Sequence, residues 1–254
     1  DDALSADHAT TFITRTSSPA ARADFQRDDA VAESDAGREL PEGGADKADG
    51  PMRSTGNVYR KHEEMVGEAE IDLSDSSHSW AMGAFKRLWE KNQARYEAVS
   101  AQVGVPAPLI AALHMRESSG KFNTYLHQGD PLGRPAVNWP NNIPVFHVWE
   151  DAAVHALNQK GWLRDDLGMT AQTTDMAAMA TYAEHYNGLG YHNRDRVSPY
   201  VYAGTDQYTS GKYVSDGKFS STTKDKQLGV MAMLVPASAL IPLHGVVQLG
   251  SNVG

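Results

Sequence analysis

The sequence predicts a mainly α-helical domain preceded by a long acidic arm, and three observations support this prediction. Apolar residues recur at helical spacing in several segments after residue 79. All five Trp, nine of the ten Tyr and four of the six Phe lie in the same part of the chain. Residues 1–79 carry a net charge of −10, whereas residues 80–254 carry a net charge of +1. Because large apolar side chains offset the entropy cost of folding, we expect the core to form after residue 79.

The first part of the chain has the composition of an unfolded segment. Residues 1–55 are rich in Ala, Asp, Ser and Gly and contain repeated Pro and Gly residues. This composition predicts a disordered, extended arm, or an arm that becomes ordered by wrapping around a partner. A short charged helix is predicted from Asn57 to about Glu70. We therefore expect residues 1–79 to form an acidic, low-complexity arm that contains one short helix.

Two helices are predicted at the start of the domain. Ser79 is suited to cap a helix from about Trp80 to Val103, and Gly104 is suited to end it. The apolar residues of this helix recur at helical spacing: Phe85, Leu88, Trp89, Tyr96 and Val99. Pro106 is suited to begin the next helix, Ala107–Glu117, because the first turn does not need the missing N–H. This second helix is apolar on most sides, so we expect it at the centre of the domain.

Loops and further helices follow. A polar stretch from Ser118 to about Pro144 predicts a functional loop, since long loops inside compact domains usually have a function. A small hairpin is predicted around Ser215-Asp216-Gly217. We expect the domain to span residues 80–234 and the apolar tail, residues 235–254, to pack on the domain or on a partner. The remaining predicted helices are Trp149–Lys160 ended by Gly161, Asp175–Tyr186 capped by Thr173 or Thr174 and ended by Asn187-Gly188, and Lys224–Leu234.

Composition excludes several classes of protein. The absence of Cys removes disulfides, thiolate zinc sites and a Cys nucleophile. No window approaches ~18 uninterrupted apolar residues, so we expect no membrane span. A net charge of −9 argues against nucleic-acid binding, because phosphate groups require a basic surface. The sequence contains neither a Gly-x-Ser-x-Gly motif nor a phosphate-binding loop. It has no initiator Met and no visible secretion signal, so we expect a fragment or a processed product.

Glu117 is the first candidate catalytic residue. It ends the most apolar predicted helix, at the point where the chain enters the long polar loop. Burial and the negative end of the helix dipole both disfavour a carboxylate, so we expect the pKa of Glu117 to be raised toward the range of a general acid. The alternative is a structural Glu at a helix end, paired with Arg116 or another neighbour.

Asp130 is a candidate second carboxylate. It follows Glu117 by 13 residues and lies in a loop with four Gly or Pro residues between Gly129 and Pro135. Two carboxyl groups that face each other across a cleft are a layout used for glycoside cleavage, and a separation of ~6.5–9.5 Å leads to inversion. The alternative is that Asp130 stabilises its own Gly-Asp-Pro turn.

Tyrosines are concentrated in the last third of the predicted domain. Seven occur in the 32 residues from Tyr182 to Tyr213. This run includes the segment Glu184-His185-Tyr186-Asn187-Gly188-Leu189-Gly190-Tyr191 and continues beyond it. An aromatic ring can pack on the C–H face of a sugar while its hydroxyl meets the sugar hydroxyls. The alternative for each single Tyr is a place in the core. The members are Tyr182, Tyr186, Tyr191, Tyr200, Tyr202, Tyr208 and Tyr213.

Three segments together resemble the lysozyme superfamily, and are most similar to goose-type lysozymes, lytic transglycosylases and a phage-associated group of peptidoglycan hydrolases. These segments are Ala111–Gly120, His127–Gly133 and Tyr182–Tyr191, and the resemblance covers about residues 85–234. It implies a two-lobed helical fold that cleaves the β-1,4 bond between N-acetylmuramic acid and N-acetylglucosamine, without a cofactor. The Gly-Leu-Met-Gln-like segment typical of these families is absent, and Gly129–Gly133 stands nearby instead.

The resemblance also implies roles for individual residues. Glu117 matches the catalytic acid of the family, and Asp130 occupies the spacing of the second carboxylate in goose-type enzymes. Tyr186 and Asn187 match the substrate-side Tyr-Asn motif, and His127 and Tyr191 are further candidates for the saccharide cleft. Hydrolysis and intramolecular attack by the muramoyl 6-hydroxyl both remain open. The setting implied is a virion or a protein exported to the periplasm or cell wall, with residues 1–79 and 235–254 contacting other proteins of that apparatus.

Two other functions compete with this interpretation. His114, His127 and Asp130, with Glu117, could hold Zn²⁺ in a metal-dependent peptidoglycan amidase or peptidase, although no His-Glu-x-x-His motif exists. Alternatively, the domain is a non-catalytic subunit of a virion or secretion assembly that keeps a lysozyme-like scaffold.

Overall fold

The computed structural model describes residues 55–215 and 218–234, and this part of the chain is mainly α-helical, as predicted. Residues 1–54 of the predicted arm and the whole predicted tail lie outside the described residues. One antiparallel pair of strands accompanies the helices. The elements are α1 Gly56–Val66, α2 Ser76–Val103, α3 Ala107–Ser118, α4 Trp149–Asn158, α5 Gly161–Asp166, α6 Met176–Asn187, a 3₁₀ turn His192–Arg194, α7 Pro199–Tyr202, β1 Lys212–Ser215, β2 Lys218–Ser220 and α8, described over 230–234.

The long helix α2 begins earlier than predicted but ends where predicted. Asp75 caps it, since the Asp75 carboxylate accepts a hydrogen bond from the backbone N–H of Ser77 at 2.8 Å. The predicted cap, Ser79, therefore lies inside the helix. At the other end Gly104 adopts a left-handed conformation with φ of 69°, which confirms the predicted stop. The buried face of α2 includes Phe85, Trp89, Tyr96 and Val99.

Helix α3 lies at the centre of the domain, as its apolar sequence predicts. Every residue from Leu109 to Leu113 is fully buried, and α3 packs against both α2 and α6. Pro106 immediately precedes its first turn. The helix ends where Ser119 and Gly120 take left-handed conformations, and the loop that follows has no helix or strand before Trp149. The central helix of the domain therefore leads directly into the longest loop of the described residues.

The next helices differ from prediction at their ends. Gly161 does not end a helix; it begins α5, a short helix that buries Leu163 completely. Asp175 caps α6, because its carboxylate accepts hydrogen bonds from the backbone N–H groups of Ala177 and Ala178. Thr173, a predicted cap, instead accepts a hydrogen bond from the backbone N–H of Thr170. The predicted stop of α6 at Asn187-Gly188 is confirmed.

The last part of the described chain contains the predicted pair of strands and a helix that begins later than predicted. Strands β1 and β2 pair antiparallel around positions 216–217. The final helix begins at residue 230 rather than at Lys224. The preceding residues are used in tertiary contacts: Asp225 is buried among cationic side chains, and Gly229 touches the backbone of α7, where a Cβ atom would lie 2.4 Å from the Val201 carbonyl oxygen.

Helix α1 packs on α6, although the sequence analysis placed it in the arm. His62 of α1 is buried, and its Nε2 lies 2.7 Å from a carboxylate oxygen of Glu184. The other ring nitrogen lies 2.7 Å from the Tyr202 hydroxyl. The Tyr59 hydroxyl of α1 also donates a hydrogen bond of 2.8 Å to Asp175, the residue that caps α6. Residues from α1 onward therefore pack with the helical domain.

Among the described residues, no single helix is long and apolar enough to cross a membrane. Helices α2 and α3 reach the required length and hydropathy only when they are taken together, across a bend of 110°.

Candidate active site

Glu117 lies in the last turn of α3 and is buried, with 4% of its surface exposed. The hydroxyl of Tyr200, on α7, donates a hydrogen bond of 2.8 Å to Glu117 Oε1. The two residues are 83 positions apart, so the contact joins the central helix to the C-terminal part of the domain. A carboxyl group that accepts such a bond has a fixed orientation, which is a requirement for directed proton transfer.

The Arg116 side chain packs against the ring of Tyr200. Its guanidinium carbon lies 4.7 Å from the centre of the Tyr200 ring, which is cation–π geometry. The same guanidinium donates hydrogen bonds of 3.1 Å to the Leu228 carbonyl oxygen and to Asp225 Oδ2. Arg116, considered above as a partner of Glu117, thus forms an ion pair with Asp225.

Asp225 is a buried anion between two cations. Lys212 Nζ lies 3.1 Å from Asp225 Oδ1, whereas Arg116 contacts the other carboxylate oxygen, Oδ2. Burial alone would raise the pKa of Asp225, but the charges of Arg116 and Lys212 outweigh it and hold this pKa below its ordinary value. The Tyr208 hydroxyl accepts a hydrogen bond from the backbone N–H of Asp225. Asp225 is therefore ionised, and it holds the Arg116 guanidinium that packs on the Tyr200 ring.

The long loop after α3 returns to the end of that helix. Gly129 has φ of 83°, and a Cβ atom at this position would lie 2.7 Å from the Glu117 carbonyl oxygen. Only Gly fits such an approach. The turn is closed by backbone hydrogen bonds from Gly129 to Tyr125 and from Tyr125 to the Asp130 carbonyl. The predicted loop is thus in direct contact with the backbone of Glu117.

Asp130 is buried and bonded within the loop. Its Oδ2 accepts hydrogen bonds of 2.8 Å from the backbone N–H groups of Val137 and Asn138, and its Oδ1 accepts one from the Asn138 side chain. These bonds reach seven and eight residues along the chain, beyond the Gly-Asp-Pro turn. They favour a role in holding the loop, while the role of second carboxylate stays a prediction.

The two candidate histidines, His127 of the loop and His114 of α3, are buried in different places. His127 Nε2 lies 2.9 Å from His155 Nδ1, and burial together with the charge of His155 lowers the pKa of His127 to about 3. His114 lies in the aromatic core, where Nδ1 contacts the Tyr96 hydroxyl and Nε2 the Lys121 carbonyl. Burial lowers the pKa of His114 to about 4. Within residues 55–215 and 218–234, no three His, Asp or Glu side chains come together as a metal site.

The predicted substrate-side residues divide into two locations. Tyr186 is buried and donates a hydrogen bond of 2.9 Å to the Leu126 carbonyl, so it joins α6 to the loop beside His127. Asn187, the last residue of α6, is half-buried. Tyr191 packs on Tyr213 of the hairpin, and its hydroxyl accepts a hydrogen bond from the Tyr213 backbone N–H. Tyr191 thus belongs to a small cluster apart from the main core.

Sequence reasoning missed the residues that hold Glu117. Tyr200 was one of seven tyrosines in the Tyr-rich segment, and nothing local distinguishes it from the others. Asp225 carried no signal, because its partner Arg116 lies 109 positions earlier in the chain, and the role of Lys212 follows only from its ion pair with Asp225. A search for a buried charge partner of Arg116 would have been the only route to Asp225.

Comparison of the chain with protein-family models, with curated proteins and with solved structures found no match. The geometry around Glu117 and the resemblance of three segments to the lysozyme superfamily are therefore the basis for a functional proposal.

Proposed function

We propose that this protein cleaves the glycan strands of peptidoglycan with a two-lobed, lysozyme-like domain, and that Glu117 is its general acid. The observation that carries the proposal is the setting of Glu117. Its carboxyl group is buried at the end of the central helix, oriented by the Tyr200 hydroxyl and bordered by a long loop. A buried, oriented carboxyl group is what a glycosidase uses to protonate the leaving oxygen.

The chemistry proceeds in two steps. Glu117 donates its proton to the glycosidic oxygen while the bond from that oxygen to C1 of N-acetylmuramic acid breaks. Bond cleavage leaves an oxocarbenium-like cation at C1, which a nucleophile then attacks. The Glu117 carboxylate accepts the nucleophile's proton when attack comes from the face of the departing oxygen, whereas water on the opposite face loses its proton to a second carboxylate. The nucleophile is either water, which gives a reducing end, or the 6-hydroxyl of the same sugar, which gives a 1,6-anhydro ring.

The bonding of Asp130 favours the second of these nucleophiles. Inverting hydrolysis needs a second carboxylate that activates water. Both oxygens of Asp130 already accept hydrogen bonds from Val137 and Asn138. Attack by the muramoyl 6-hydroxyl needs no second carboxylate, so we favour a lytic transglycosylase over a hydrolase.

The cleft residues have different roles in this proposal. Asn187 is half-buried at the end of α6 and is the member of the Tyr-Asn motif that contacts the sugar. Tyr186 and His127 are buried and bonded inside the domain, where they support the loop beside Glu117. Tyr191 orders the hairpin through Tyr213.

A cell-wall substrate implies how the protein reaches it. The enzyme acts from a virion or after export to the periplasm or cell wall. The acidic residues 1–54 and the apolar residues 235–254 are then the segments that contact other proteins of that apparatus.

Substitution of Glu117 tests the proposal. Glu117→Gln in the full chain should lower the rate of peptidoglycan cleavage by about 10²–10⁴-fold, because the amide cannot act as a general acid. Glu184→Gln is the matched control, since Glu184 is equally buried but is paired with His62. Circular dichroism confirms that each variant is folded. Cleavage by Glu117→Gln at the wild-type rate would contradict the mechanism.

Mass spectrometry of the digested muropeptides separates the remaining alternatives. Anhydro-muramoyl ends identify a transglycosylase, and reducing ends identify a hydrolase. Intact glycan with cut peptide would support the amidase or peptidase alternative instead. No cleavage at all by the wild-type protein would support the non-catalytic scaffold.

A further inference from the structure

The long loop after α3 exposes apolar side chains to an unusual degree. Among the described residues, half of the exposed large apolar side chains lie within residues 137–148. Trp139 is 41% exposed and Val137 is 77% exposed. Exposed apolar groups that are concentrated in one segment mark a binding surface more often than scattered ones do. We call residues 135–148 the exposed loop.

The exposed loop is held in place by hydrogen bonds on both sides of Trp139. The backbone N–H and the side-chain amide of Asn138 both donate hydrogen bonds to the Asp130 carboxylate. The Pro140 carbonyl accepts a hydrogen bond of 3.1 Å from the Gln128 side chain. Further along, the Phe146 carbonyl accepts a hydrogen bond from Gly133. The exposure of Trp139 therefore does not result from a loose loop.

The same anchors connect the segment around Trp139 to the end of α3 that carries Glu117. Gln128 and Asp130, which hold residues 140 and 138, flank Gly129, and Gly129 is the residue in contact with the Glu117 carbonyl oxygen. The segment around Trp139 is thus linked to the Glu117 backbone through Gly129 and through the hydrogen bonds of Gln128 and Asp130.

The chemistry of the exposed loop indicates its ligand. The run from Pro135 to Phe146 contains no charged side chain, in a chain of which 22% is charged. It presents an indole ring together with the amide groups of two exposed residues, Asn141 and Asn142. Ring faces and amides suit a ligand that has C–H faces, hydroxyls and acetamido groups but no charge. Anionic lipids and peptide carboxylates would require cationic partners.

We propose that Trp139 is the stacking platform of a saccharide subsite beside Glu117, and that it binds an N-acetylated hexosamine ring of the glycan strand. This inference rests on the proposed function, since it assigns one sugar position of the same cleft. Trp139 touches the ligand away from the bond that breaks, so it determines affinity and position rather than chemistry.

Oligosaccharide binding tests the subsite without catalysis. In a Glu117→Gln background, the tetramer of N-acetylglucosamine is titrated and binding is measured by calorimetry and by tryptophan fluorescence. Trp139→Ala should weaken binding about fivefold to tenfold, which corresponds to roughly 1–1.4 kcal/mol, because the stacked ring is lost. Trp139→Phe should retain most of the affinity, since a ring face remains.

Trp162→Ala is the matched control. Trp162 on α5 has the same exposure as Trp139, 41%, but packs on His185 rather than on the loop. It should leave the dissociation constant unchanged. Equal affinities of Trp139→Ala and its parent would overturn the subsite, as would absence of sugar binding by the Glu117→Gln protein. Binding that depends on Trp139 but is directed to phosphatidylglycerol vesicles instead of sugar would also overturn it.

Kinetics distinguish a failure of the subsite from a failure of the proposed function. If the wild type cleaves glycan through Glu117 while Trp139→Ala leaves KM unchanged, the function stands and the subsite is wrong. If the sugar tetramer binds through Trp139 but no glycan is cleaved, the subsite stands and the catalytic proposal is wrong.

Discussion

Two buried aspartates lie near Glu117, and their partners differ completely. Asp130 accepts hydrogen bonds from two backbone N–H groups and one side-chain amide, all of them uncharged. Asp225 lies between the guanidinium of Arg116 and the ammonium of Lys212. Both residues are 5% exposed. The difference shows that one domain holds two equally buried carboxyl groups by uncharged donors on the loop side and by opposite charges on the hairpin side.

The largest effect is expected on the hairpin side. Asp225→Asn leaves Arg116 and Lys212 buried without their anion, so the free energy of unfolding should fall by about 3–5 kcal/mol. Asp195→Asn is the control, because the Asp195 side chain also pairs with a lysine, Lys61, but is 98% exposed. This variant should leave the free energy of unfolding nearly unchanged, because water screens the exposed pair. Urea unfolding measures both, and equal losses would remove the distinction between the two aspartates.

Acid should affect the loop side before the hairpin side. The pKa of buried His127 is about 3, whereas an unfolded histidine titrates near ~6.5. The unfolded chain therefore binds a proton that the folded chain excludes, and stability is lost as the pH falls from about 6.5 toward 3. The pKa of Asp225 is also lowered, but its contribution is fully present above about 4 and is lost only below that pH.

The variant His127→Gln isolates this effect. It should reduce the slope of unfolding free energy against pH by up to about 1.4 kcal/mol per pH unit between pH 6 and 4.5. His147→Gln serves as the control, because His147 is an exposed residue of the same loop. Urea unfolding at several pH values provides the slopes. Identical slopes for His127→Gln and the wild type would contradict a neutral, buried His127.

A smaller effect is expected at Asp130. Asp130→Asn keeps one acceptor oxygen and loses at least one loop hydrogen bond, so stability should fall by about 1–2 kcal/mol. Hydrogen exchange of the backbone amides of Val137 and Asn138 should become faster, and KM should rise more than kcat falls. Asn138→Ala, which removes only the side-chain bond, should have a weaker effect of the same kind. A fall in kcat of about 10²-fold or more with unchanged exchange would instead identify Asp130 as the second carboxylate.

Local signals in the sequence predicted the centre of the fold well. Helix α3 was predicted within one residue, because Pro106 and the Ser118-Ser119-Gly120 segment mark both of its ends. The predicted cap of α2 was wrong. Asp75 and Ser79 both have side chains that can cap a helix, so residue type alone does not select between them. The start of the last helix was wrong for a similar reason, because burial of Asp225 against Arg116 overrides the helical pattern of its own segment.

The candidate site was predictable only in part. The position of Glu117 at a helix end that leads into a long loop was visible in the sequence. Its hydrogen bond with Tyr200 joins residues 83 positions apart, and no periodicity or motif links two such positions. The three hydrogen bonds of Asp130 were also hidden, since backbone donors such as Val137 and Asn138 leave no mark on residue type.

The packing of α1 on α6 determines how short a working version of this protein can be. A fragment that begins at residue 80 would match the boundary suggested by composition, but it would lose α1 and the start of α2. Glu184 would then keep its place in the interior without the imidazole of His62. A fragment that begins before Thr55 keeps this pair and the contact of Tyr59 with the α6 cap. Trimming for expression or crystallisation should therefore stop ahead of α1, well inside the acidic part of the sequence.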